Sequence, residues 1–243
     1  MYRLLLLVLV VASGCVPKAV SQRIEALENR VAQLETQPNA ANRPDAADEA
    51  AARDLVSEIQ RAYGSDYDVA AAAALCREGK AKYANTNAWR RGSRTCDEVG
   101  VVGKPAADWD VEQWFQGQAP AAGEPMLLVF FEQWCPHCRR EMPRLGELEA
   151  QISVVGVTKV NRSSTDDKVV QFIGEHDLTF PIAKERNGSL SQHYVVSGVP
   201  AAAIVVDGVV VWRGHPARLH DGGLKRAMSM KTGSKNRGSL VAP

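Results

Sequence analysis

The chain lacks an excess of charge of either sign. Its 29 Lys and Arg stand against 28 Asp and Glu, a net +1. That gives no electrostatic case for nucleic acid or for a strongly acidic partner. It also lacks an apolar run long enough to cross a bilayer. The leading run, LLLLVLVVA (4–12), has nine residues, well short of the ~20 that a span needs. Metal-ligand spacing is missing too. There is one C-x-x-C, no second one and no H-x-x-x-H, so the four-ligand set of a structural zinc site is not assembled. Neither a metal nor an organic cofactor is expected. What remains is an ordinary globular composition, 45% hydrophobic over 243 residues, compatible with one or two domains.

The nine-residue run fits the h-region of a secretion signal, 1–14. The small residues of ASGC, ending at Cys15, resemble the bacterial lipoprotein signal. That resemblance implies that Cys15 is acylated and anchors the mature chain. Val16 rather than Asp follows it, which implies the outer membrane of the cell envelope. An ordinary cleaved signal or a short uncleaved anchor is the plainer reading. With Cys15 set aside, Cys76, Cys96, Cys135 and Cys138 are left, an even number in an oxidising compartment.

In VSQRIEALENRVAQLETQ (20–37), Val20, Ile24, Leu27, Val31 and Leu34 are spaced four, three, four, three. This a/d seam reads as a short coiled-coil stalk over 15–37. β-branched a and Leu d positions favour two strands, hence a homodimer through 20–37; a single solvated helix is the alternative, since the seam covers only about two heptads. A Pro- and Asn-bearing linker, 38–50, follows. The small helical region 51–98 reads as helices over 52–64 and 68–84, closed by a Cys76–Cys96 disulfide. A loop of this length makes that bond worth on the order of 3 kcal/mol. From 99 to 230 strands and helices alternate: MLLVFF (126–131), a helix over 135–150, ISVVGVT (152–158), a helix over 166–176, a hairpin 201–213 turning at Asp207-Gly208, and a last helix over 219–229. This order predicts an α/β fold, a mixed sheet with helices on both faces. The end, 231–243, is rich in Gly, Ser and Lys and reads as a disordered basic tail.

The stretch EQWCPHCRREMP (132–143) carries the chemistry. C-x-x-C at a strand-to-helix junction sets Cys135 at the helix N-terminus, where unpaired N–H groups favour a thiolate. Cys138 is within reach to resolve a mixed disulfide. Pro136 suits the first helical turn. His137 adds positive charge or a hydrogen bond near the thiolate. A structural disulfide is a poor reading, because so small a loop hardly restricts the unfolded chain.

Three segments, VGKPAADW (102–109), LLVFFEQWCPHCRREMP (127–143) and SGVPAAAIVVDGVVVWRG (197–214), resemble the TlpA/ResA branch of thioredoxin-fold proteins over about 130 residues. The resemblance implies a thioredoxin-like fold and a protein thiol-disulfide oxidoreductase. It implies that Cys135 attacks and Cys138 resolves, that the bond before Pro200 is cis, and that the backbone of Val199 pairs with a client strand beside Trp134. The implied partners are cysteine-containing client proteins and a membrane redox partner that resets the site. Two positions depart from the pattern. Val129 stands where close relatives carry a buried acid; Glu132 either substitutes as proton acceptor or is a solvated loop residue. The Pro-His spacer is that of DsbA. It argues for the oxidase or isomerase direction, whereas the TlpA-like frame argues for a reductase. A redox-inert binding lipoprotein is the alternative of another class.

Overall fold

A computed structural model of the chain describes residues 18–35, 44–159, 164–220 and 222–229. Cys15, the signal 1–14 and the tail 231–243 lie outside them. The chain divides into two units, residues 1–46 and 47–243. The first contributes α1 (Lys18–Glu35). Val20, Leu27 and Val31 lie along it 46%, 58% and 52% exposed.

In the second unit, α2 (Ala46–Gly64) begins inside the expected linker, so the linker ends before Ala46 rather than at residue 50. Its alanines are strong helix formers, and Asp48 and Glu49 in the first turn favour the start electrostatically. The chain continues through α3 (Val69–Tyr83), α4 (Asn87–Gly92) and α5 (Arg94–Val99). The Asp68 side chain caps α3 by accepting from the Ala71 N–H at 2.9 Å. A disulfide joins Cys76 on α3 to Cys96 on α5, with a sequence separation of 20. Replacing both cysteines by alanine is expected to lower unfolding free energy by about 3 kcal/mol, from the loop it closes. Chemical denaturation of the double variant checks this. A loss below about 1 kcal/mol would assign the region's stability instead to the apolar packing of Leu55, Ile59 and Trp89.

The sheet is built from β1 (Val111–Gln116), β2 (Met126–Phe131), β3 (Ser153–Thr158), β4 (Ile182–Glu185), β5 (Ala201–Val206) and β6 (Val209–Gly214), in the order β1-β4-β3-β2-β5-β6. β2, β3 and β4 are parallel; β1, β5 and β6 run antiparallel to their neighbours. The apolar run of β2 is buried on both faces. Leu127, Val129 and Phe131 enter one core and Leu128 and Phe130 the other, as a central strand demands. α6 (Pro136–Glu141), α7 (Asp166–Glu175), α8 (Ser189–His193) and α9 (Gly223–Met228) complete the unit.

The helices differ from expectation in two places, the first with a simple cause. The helix expected over 135–150 is α-helical only to Glu141 and then narrows to a 3₁₀ stretch, Met142–Leu148. Pro143 has no N–H to give an α-helical bond. The last helix is confined to Gly223–Met228 and is preceded by a 3₁₀ turn, Pro216–Leu219.

β6 lies at the edge of the sheet, and its outer side is occupied. Gly103 N–H donates to Val210 O at 2.8 Å and Val210 N–H to Lys104 O at 2.9 Å. Further along, the Tyr63 hydroxyl of α2 donates to Arg213 O at 2.6 Å and accepts from the Arg213 N–H at 3.1 Å. The helical layer therefore finishes the hydrogen bonding that the sheet leaves open.

Candidate active site

The carboxyl end of β2 delivers EQWC (132–135) to the start of α6. The Cys135 N–H donates to Glu132 O at 3.0 Å, and Cys135 is the N-cap residue, followed by Pro136 in the first turn. Arg139 Nη1 donates back to Gln133 O at 3.3 Å, which fixes the loop before the motif. Cys135 and Cys138 are both thiols and both buried. Cys138 faces the core, fully inaccessible, on the same side as Glu141, Met142 and Leu145.

Across from α6 lies the loop that leads into β5. The Val199–Pro200 bond is cis, and the Cys135 Sγ approaches Val199 O at 3.6 Å. Trp134, 53% exposed, stands at the rim. Cys135, Trp134, His137, Val199, Glu132 and Lys159 contribute to the walls of one cleft of about 530 Å³. A thiol group at the base of a cleft, with an aromatic at its lip and the Val199 backbone beside it, can receive an extended chain and exchange sulfur with it.

The electrostatics separate the two thiols. Burial pushes the Cys138 thiol well above its ordinary range; a backbone hydrogen bond from Glu132 opposes this, and the neighbouring Cys135 and the Glu132 charge add to the rise. Burial also pushes Glu132 up to about 7, against the pull of Ser164 and Lys159 and with a further push from Glu185. Its Oε2 is buried with no hydrogen-bond partner among the described residues. Glu132 is thus a buried acid, and the solvated-loop reading of it does not hold. His137 is exposed, and its Nδ1 accepts from Arg140 Nη2 at 2.7 Å.

Several neighbours were invisible in the sequence reading. Glu185 is buried; it accepts from the Ser191 N–H at 2.7 Å, and its carboxylate lies 3.9 Å from Lys159 Nζ. Glu141 and His220, both buried, meet at 2.7 Å across 79 positions. One signal could have found Glu141. It follows Cys138 by three and precedes Leu145 by four, which is the buried side of a helix. Cys76 and Cys96 form their own bond elsewhere. Among the described residues no group of three or more His, Cys, Asp or Glu is placed to hold a metal ion.

The sequence pattern of the redoxin family matches residues 112–225. The thiol-disulfide oxidoreductase ResA of Oceanobacillus iheyensis is 34% identical over 118 residues, 45% of this chain and 62% of that protein. The protein of the same name from Bacillus thuringiensis subsp. konkukian is 32% identical over 127 residues, 50% of this chain and 73% of that protein. The chain therefore spans less than two thirds of the Oceanobacillus relative. A solved thiol-disulfide isomerase from Corynebacterium glutamicum aligns with 46% of this chain and 85% of its own, at 21% identity and a TM-score of 0.42.

Proposed function

This chain belongs to the redoxin family, among relatives named thiol-disulfide oxidoreductases, and from that membership we propose that it exchanges disulfides with cysteine-bearing client proteins through Cys135 and Cys138. The observation that carries the reading is the buried dithiol whose first member lies against the Val199 carbonyl in an open cleft.

In the oxidising direction a client thiolate attacks Sγ of Cys135 in the Cys135–Cys138 disulfide. A client–Cys135 bond forms, the internal bond breaks, and Cys138 leaves as a thiolate that takes up a proton. A second client thiolate then attacks the client sulfur of the mixed disulfide. The client disulfide forms and Cys135 is released, so two electrons have passed from client to chain. In the reducing direction the same steps run backwards, and Cys138 must lose its proton before it can resolve the intermediate. In this reading Glu132, whose carboxyl burial raises to about 7 and whose charge bears on Cys138, accepts that proton. Trp134 and the backbone of Val199, set by Pro200, hold the client.

The Pro-His spacer of the motif favours the oxidase or isomerase direction. The reductase reading rests on the TlpA/ResA-like frame. Anchoring through Cys15 on the periplasmic side of the outer membrane, a homodimer through 20–37 and a membrane redox partner complete the proposal.

The test is the reduction potential of the full chain in glutathione buffers, read by trapping the thiol of Cys135. A value near about −120 mV makes it an oxidant or isomerase; near about −270 mV, a reductase. The absence of any redox transition refutes thiol exchange and leaves a binding lipoprotein.

A further inference from the structure

The loop that carries Val199 is tied at both ends by one buried side chain. Arg213 on β6 is 3% exposed. Its Nε donates to Tyr194 O at 2.9 Å and its Nη2 to Val195 O at 3.4 Å, just before the loop. Its Nη1 reaches Ala202 O at 3.5 Å, just after Pro200, and Gly214 O at 3.2 Å. A planar guanidinium with fixed donor directions suits this fan of carbonyls, and a lysine ammonium does not reproduce it. Val195 shows what is being held. It has a φ of 49°, in the left-handed region, where a β-branched residue is an outlier that only its surroundings maintain.

Arg213 is in turn held from outside the sheet. Its own N–H and C=O are both bonded to the hydroxyl of Tyr63, which is itself fully buried. Glu98 on α5 is partly buried, and its carboxylate lies 4.0 Å from Arg218 Nη1. Arg94 and Glu98 line a small cleft together with Gly198, Val199, Pro200 and Arg213. Tyr63, Arg94 and Glu98 all lie N-terminal to residue 112, where the match to the family pattern begins.

We propose that Arg213 is a positioning residue for the client-holding loop, and that the helical layer of residues 46–99 is part of the exchange site because it fixes Arg213 through Tyr63. This rests on the proposed thiol exchange but reaches beyond it. The layer is then no spacer, and its Cys76–Cys96 bond, which fastens α5, bears on how well a client strand is received.

The test uses the full chain with Arg213→Met, Arg213→Lys and Tyr63→Phe. Two probes are compared, a flexible two-cysteine peptide and oxidised glutathione, which is too small to need the loop. Arg213→Met is expected to raise KM for the peptide about tenfold, within the range a small misplacement of a binding element produces. Arg213→Lys and Tyr63→Phe should raise it less. The peptide kcat, the glutathione rate and the Cys135–Cys138 potential should stay within about twofold, since the thiols themselves are untouched. Amide hydrogen exchange at Val196–Val199 should quicken about tenfold or more in each variant, as expected when a local brace is lost.

Unchanged peptide KM and unchanged amide protection in folded Arg213→Lys and Tyr63→Phe would overturn the proposal. So would an equal fall in the peptide and glutathione rates, which would place the effect on the thiols. If the unaltered chain exchanges neither probe, the functional reading fails, and the amide measurement alone decides the role of Arg213.

Discussion

Cys138→Ser arrests the chain with a client attached to Cys135. The variant keeps the thiol that lies against Val199 O and removes the group that would release the mixed disulfide. Turnover with a two-cysteine peptide falls by about a thousandfold or more, the scale on which an essential reacting group acts. A disulfide-linked adduct accumulates, and non-reducing electrophoresis after acid quenching detects it. Cys135→Ser loses the same turnover but forms no adduct, because Cys138 is fully buried. An adduct on Cys138 in the Cys135→Ser variant would reverse the two roles. Turnover retained by either variant would remove the pair from the chemistry.

Glu132→Gln separates activity from stability. Burial raises this carboxyl from 4.5 to about 7. The folded state therefore binds its proton more tightly than the unfolded state does. Its contribution to stability is fully present below the unfolded value of 4.5 and is lost as pH rises through about 7. Glutamine carries no charge at any pH and flattens that part of the profile. The variant should be the more stable protein at pH 8, and the difference should shrink towards pH 5. Exchange should move the other way. The carboxylate that accepts the Cys138 proton is present above pH 7, so the resolving step of the unaltered chain accelerates through that range. The variant lacks the inflection and is slower at pH 8 by about a hundredfold, the lower range of general-base effects. Denaturant midpoints and single-turnover rates at several pH values check both arms. Superimposed rate profiles would deny Glu132 the proton-accepting role while leaving its burial intact.

The sequence was most legible where one segment carries its own signal. MLLVFF is apolar without alternation and became the central strand; CPHC sits at the strand-to-helix junction where its spacing placed it. Cys76 and Cys96 were paired by parity and loop length and are bonded. β1 and β4 were not read. IAKE, four residues with a lysine and a glutamate, has no period of its own and is a strand because β1 and β3 flank it. VEQWFQ is only partly buried and pairs with β4 through register shifts. The candidate site was legible in its pair of cysteines, and the cis bond before Pro200 followed only from the family resemblance; what surrounds them was not legible. Tyr63 and Arg213 are 150 positions apart and Glu141 and His220 are 79 apart. Contacts at such separations leave no local pattern, and only the folded chain brings them together.

The occupied outer side of β6 has a further consequence. A protein that handles incompletely folded chains meets strands seeking a free edge, and an open edge recruits them into aggregates. Here residues 103–104 and the Tyr63 hydroxyl fill that edge from within the chain. A client cannot extend the sheet at β6. Self-association through this edge is thereby suppressed.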